Sequence, residues 1–337
     1  MATATLPPPP STTANPAPVR PLNSVRRTMS IDVSWPEGEL GDRLFIGRCR
    51  DFRTAADGTG KIIDEAEFRA TLSQDRTITA INSTPAHSGI DKLVGVRGGN
   101  HLRLFIKENM PELISEGDPM YLPLDDISGT ALVSSFAWSQ FHEDWTQRLR
   151  ETMDPEVLDR MMSDRVNICW GLQEGNSGVS GGVKNGVGQA EAGDVRNPAD
   201  PQGWHALDDA EGPGFRRARR IDVSRDDAAG LIRIDAAFQD SARRKDRGRC
   251  AIHEYNIAAT ADLATGRLLT LTPEPRILPF SECPGAVHNT QRLIGRTLGE
   301  IREAVLEQLR GPQGCTHLND ALRALAEVPR LAGYLAD

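Results

Sequence analysis

Between residues 231 and 274 apolar and polar positions nearly alternate, in the segments IRIDAAFQD, CAIHEYNIAAT and GRLLTLTPE. Such alternation, rich in β-branched and aromatic residues, predicts half-buried antiparallel strands. The period then changes. Leu293, Ile294, Leu298, Ile301, Val305, Leu306 and Leu309 recur at helical spacing, which lays one apolar stripe along an amphipathic helix, and residues 318–325 repeat it. Strands followed by helices, without regular alternation, predict an α+β layer rather than a doubly wound sheet.

The same order of patterns occurs earlier in the chain. Arg26-Arg27 before Ile31-Asp32-Val33 answers Arg219-Arg220 before Ile221-Asp222-Val223. Leu44-Phe45-Ile46 leading to Asp51 answers Leu231-Ile232 leading to Asp240, and Ile63-Asp64-Glu65 answers Ile252-His253-Glu254. Hairpin signals at Asp75 and Gly266 follow, then Lys92-Leu93-Val94-Gly95 answers Arg292-Leu293-Ile294-Gly295. Short matches kept in one order predict two diverged copies of an antiparallel-sheet-plus-helices unit. The chain then divides into a disordered Pro-rich arm (1–23), a degenerate first copy (24–140), a helical segment (141–170), a flexible Gly-rich connector (171–214) and a second copy (215–337).

Composition narrows the function. The 337 residues are 39% hydrophobic with a net charge of -8, which fits a globular protein and gives no electrostatic footprint for nucleic acid. No apolar run is long enough to span a bilayer, and prolines stand where a signal peptide would be basic and then apolar, so a cytoplasmic location is expected. Five cysteines are too few and too odd for a disulfide framework, and leave thiols for metal binding or catalysis.

The candidate chemistry sits in the second copy. His253 lies mid-strand, Cys283 lies just before a helix, and Gly314-Cys315-Thr316-His317 opens the last helix. A cysteine at a helix N-terminus meets free N–H groups and a positive dipole end, which favour thiolate. Cys283, Cys315, His317 and His253 together have the sulfur and imidazole character that zinc, iron or an iron–sulfur cluster prefers. The first copy has Asp64 in place of His253, with Asp118 and Met120 roughly in place of Cys315 and His317, so it could not hold the same metal. Gly314 is expected for a tight turn. Cys49 reads as core or edge, Cys250 as part of an exposed basic hairpin, Cys169 as a docking point for the connector, and His288 as a remote base candidate. Glu254 alternates with His253 and should face the other side of the strand. The paired arginines of both copies suggest a shared structural salt bridge.

The run HEYNI, LPFSECPGA, RLIG and GPQGCTHLNDALRALA resembles a bacterial domain-of-unknown-function family, number 2889, over residues 215–330, with residues 24–135 as a diverged first copy. The resemblance implies a setting in the catabolism of aromatic or steroid-like compounds and implies no reaction. The order of sheet, cysteine, helix and second cysteine is also similar to the iron–sulfur scaffold fold; no clear third cysteine is present, so His253 or His317 would substitute. Three functions follow as expectations. The first is a metal- or cluster-binding accessory enzyme with a small-molecule substrate. The second is a metal-free thiol enzyme with Cys315 as nucleophile and His317 or His253 as base, acting on an ester or thioester. The third is a non-catalytic assembly protein. Oligomeric state is left open.

Overall fold

A computed structural model of the protein describes residues 12–152, 155–156, 159, 163–180, 189–208 and 210–335. The first half forms four antiparallel strands, β1 (Ser24–Ser34), β2 (Arg43–Thr54), β3 (Gly60–Leu72) and β4 (Ile78–Thr84), then helices α1 (Asn100–Asn109) and α2 (Tyr121–Val133). A short strand β5 (Ala190–Ala192) precedes β6 (Gly214–Asp226), β7 (Leu231–Arg243), β8 (Arg249–Asp262) and β9 (Leu268–Ile277). A 3-10 stretch, Cys283–Leu293, and helices α3 (Ile301–Gln308), α4 (Thr316–Arg323) and α5 (Val328–Gly333) close the chain. The α+β class expected from the periodicity is the class found. No helix among the described residues is long and apolar enough to cross a membrane.

All nine strands belong to one sheet, in the order β4-β3-β2-β1-β6-β7-β8, with β5 and β9 both paired to β8. The halves therefore meet edge to edge, in an antiparallel ladder running from Ser24↔Ser224 to Ser34↔Gly214. Alone, each half would expose β1 or β6 as a long unpaired edge. Together they bury it, and residues 24–33 and 214–223 are all buried.

This seam is laced with charge. Arg26 binds Asp222 at 2.6 Å and Arg216 binds Asp32 at 2.6 Å, a reciprocal pair that places Arg216-Arg217, not Arg219-Arg220, opposite in role to Arg26-Arg27. On the helix-covered face Arg27 grips Asp51 through two 2.6 Å bonds, and Arg217 grips Asp240 at 2.8 and 2.9 Å. Each receives a further acid from the opposite half's helical segment: Glu327 meets Arg27 at 2.6 Å, and Asp126 of α2 meets Arg217 at 3.5 Å. Paired, hydrogen-bonded guanidinium groups tolerate such burial, and removing one partner leaves a charge that water cannot reach.

The other face is covered by segments expected to be loose. Of the arm, residues 1–11 lie outside the described residues, but Ala17 N–H donates to Val195 O at 3.0 Å and Arg20 pairs with Asp200 at 2.8 Å. Within the span read as a flexible connector, 181–188 lie outside the described residues, while 189–208 pack on the sheet with Trp204 and His205 buried. Backbone hydrogen bonds and a few buried side chains hold these straps, so low apolar periodicity did not mean a free chain. The helical segment contains the helix Trp145–Thr152; most of 153–162 lies outside the described residues.

Candidate metal centre

Asp240 and His253 are direct partners across β7 and β8, and the register shifts immediately after Asp240. The first half repeats this detail, with Asp51 opposite Asp64 and a shift immediately after Asp51. Position 253 thus carries an imidazole where position 64 carries a carboxylate. Position 64 therefore offers no nitrogen donor, and burial, with Asp51 and Asp118 nearby, pushes its carboxyl up.

His317, on the first turn of α4, lies over His253 with ring centroids 3.4 Å apart and planes 19° from parallel. Its Nε2 is 3.9 Å from Asp240 Oδ2, while His253 Nδ1 is 3.2 Å from the same oxygen. Asp240, His253 and His317 are the one group of three potential metal-ligand side chains, among the described residues, whose donor atoms all lie within 4.8 Å of one another. Asp240 and His253 are buried, and the His317 side chain keeps 15% exposure, the route by which an ion could enter.

Charge sets the protonation of the trio. Burial opposes a charged Asp240, yet the Arg217 guanidinium and the His253 hydrogen bond hold its carboxyl below the usual carboxylate range. The carboxylate therefore accepts, Nδ1–H of His253 donates, and His253 Nε2 keeps a lone pair. Burial also pushes both imidazoles below the ordinary histidine value, His317 further still because His253 is its neighbour. Both are neutral near pH 7, the form that binds metals. Asp240 already carries Arg217 on both oxygens, so its natural role is to hold the His253 tautomer and ring.

The expected donor set is divided. His253 and His317 come together, but Cys283 and Cys315 do not join them, and Asp240 takes the third place. Cys315 stands at the start of α4, as read from the sequence, and is its N-cap residue without a side-chain cap hydrogen bond. N–H groups of His317 and Leu318 do favour its thiolate; burial outweighs them and pushes the thiol up. The activated thiolate expected from the helix dipole is therefore absent from Cys315. Cys283 is likewise buried and pushed up. Gly314 is required for room rather than for an unusual backbone angle, since a Cβ there would lie 2.3 Å from Leu309 O. His288 is exposed, Cys49 and Cys250 are buried, and Glu254 faces the strap side, accepting from Ala14 N–H at 2.6 Å. Asp240 was missed because an aspartate ending an alternating strand looks like a turn residue; its one signal was its match to Asp51.

Residues 215–330 match the family described as Protein of unknown function (DUF2889). The DUF2889 segment is about a third of the chain and holds Asp240, His253, Cys283, Cys315 and His317, while Asp126 and Cys169 lie outside it. No curated protein and no solved structure matches the chain.

Proposed function

We propose that this is a metal-binding protein whose centre is the imidazole pair His253 and His317, oriented by Asp240 and taking zinc or iron. The reading rests on one observation: two neutral imidazoles, one buried and one partly exposed, stack beside a carboxylate already neutralised by Arg217. Nitrogen donors of this kind suit zinc and iron, and a carboxylate on the outer nitrogen of a ligating histidine raises its basicity. A bound ion would supply Lewis acidity toward a carbonyl of a small-molecule substrate, consistent with an accessory enzyme of aromatic or steroid-like compound catabolism in the cytoplasm. The chain's own part is to orient His253 through Asp240, to keep both imidazoles unprotonated and to limit water around them. We also read the two halves as diverged copies, supported by the reciprocal Arg26–Asp222 and Arg216–Asp32 pairs, with the Asp64 copy as packing partner.

A thiol enzyme fits less well. Nucleophilic cysteines are partly exposed thiolates, whereas Cys315 is 4% exposed and its thiol is pushed up. Equilibrium dialysis against zinc tests the proposal: His253→Ala and His317→Ala should each weaken binding at least about tenfold, since even outer partners of a ligand are worth about 10–100-fold. Equal affinity in both variants and the parent would overturn it.

A further inference from the structure

The thiols outside the imidazole pair form a group of their own. Cys283 opens its 3-10 stretch, Cys315 caps α4, and Cys169 stands just before a short turn, Trp170–Leu172, far upstream. Specific contacts lock the three segments together. Trp170 N–H donates to Gly314 O at 2.7 Å, and Asn289 Nδ2 donates to Gln313 O at 2.9 Å. Gly171 packs so tightly that a Cβ on it would lie 2.5 Å from Cys283 Sγ, and one on Gly285 would lie 2.4 Å from Trp170 Nε1. All three thiols are buried and close enough to feel one another's charge.

Beside them stands a buried hydroxyl that is directed at one of the thiols. Tyr255 stands on β8 two residues beyond His253, is 0% exposed, and interacts electrostatically with Cys169, Cys283 and Cys315. Its hydroxyl leans toward Cys315 but meets no atom at hydrogen-bond geometry.

We propose that Cys169, Cys283 and Cys315 form a second site, separate from the imidazole pair, that takes a thiophilic metal ion as a three-sulfur cage, with the Tyr255 hydroxyl donating to one of the sulfurs. Each thiol gives its proton to solvent as its sulfur–metal bond forms, so a divalent ion releases three protons and no electrons move. Sulfur-only ligation selects zinc, cadmium or copper(I) over the hard cations. The sulfurs do not close within 4.8 Å as Asp240, His253 and His317 do, so binding draws three turn residues inward and leaves the sheet in place. Cys169 is the member the sequence could not reveal, because its partners are distant along the chain and it lies outside the DUF2889 segment.

The test uses the full, reduced chain and cadmium(II) as probe. A sulfur-to-cadmium charge-transfer band should saturate at one ion per chain, and X-ray absorption at the cadmium edge should count three sulfurs. Cys169→Ser should lower the band by about a third and weaken cadmium at least about tenfold, while His253→Ala and His317→Ala leave the band unchanged. A band absent from the parent, a count below three sulfurs, or full intensity in Cys169→Ser overturns the proposal. The absorption count needs no variant, so poor folding of Cys169→Ser would leave the test standing. Loss of the band in the histidine variants would show one mixed site instead, and would also overturn it. Zinc binding that needs the histidines while cadmium finds no thiols would leave the imidazole centre standing alone.

Discussion

His253 depends on a single hydrogen bond for its orientation, Nδ1–H to Asp240 at 3.2 Å, and Asp240 in turn depends on the fork of Arg217. Asp240→Asn keeps the shape but leaves Arg217 only the more distant Asp126 at 3.5 Å and Asp320 at 3.4 Å. The loss should fall below the ~3–5 kcal/mol of a fully uncompensated buried charge, so this variant should unfold at somewhat lower denaturant than the parent as well as bind zinc more weakly. Acid sensitivity belongs to this scale too. His205 is buried between Thr28 and Ser30 hydroxyls at 2.8 Å each, and burial pushes it well below the ordinary value of 6.5, as burial also does for His253 and His317. A folded-state value below the unfolded one means that the unfolded chain binds the extra protons, so stability falls as pH drops below about 6.5. Asp125 and Asp320, held low by Arg103 and further guanidinium groups against the opposing effect of burial, extend that loss through the carboxylate range. Thermal melts across pH should be flat above pH 7 and fall below about 6.5, and His205→Gln should shrink the first part of the fall. An unchanged slope in that variant would mean that His205 does not titrate on unfolding.

At the scale of elements, the start of α4 and the body of α2 place the charges. Gly129 of α2 has no Cβ where one would lie 2.2 Å from Arg217 Nη1. Gly129→Ala should therefore push Arg217 off Asp240 and cost about 1–3 kcal/mol by overpacking, read as a lower chemical-denaturation midpoint with zinc affinity reduced in parallel. Stability equal to the parent would show that α2 yields instead. Much of this scale was legible in the sequence. Alternation located β7, β8 and β9, the motif at Cys315 and His317 located the helix start, and the apolar stripe located α4 but only the second half of the helix expected from Leu293, since the chain leaves the helix at Ile294 and re-enters it at Ile301. His253 was legible as an imidazole in mid-strand, on the face opposite Glu254. Asp240 and Cys169 were not, since nothing local distinguishes an aspartate facing a histidine across a ladder, or a cysteine whose neighbours are far away in the chain.

For the whole molecule the decisive feature is the β1–β6 ladder, which turns two halves into one sheet. Pairing between edges far apart in sequence leaves no periodicity to read, which is why two linked units were expected. The straps were hidden for a related reason: Ala17, Arg20 and Asp200 act through backbone contacts and one ion pair rather than through an apolar stripe. An isolated fragment of residues 210–337 would expose β6. In the same register a second copy of β6 would bring Arg216 opposite Asp222, so the fragment should be recovered as a dimer or not in soluble form, by light scattering. A well-folded monomer would show that the seam is dispensable. The central claim is that the sheet and α4 assemble a metal centre on His253 and His317. Elemental analysis by inductively coupled plasma mass spectrometry, on full-length protein purified without chelator and on His317→Ala prepared in parallel, tests it most directly. Zinc or iron in the parent that falls by about one ion per chain in a folded His317→Ala is the expected result, whatever the thiols retain. A well-folded parent without metal, or a variant whose metal content equals the parent's, would contradict it.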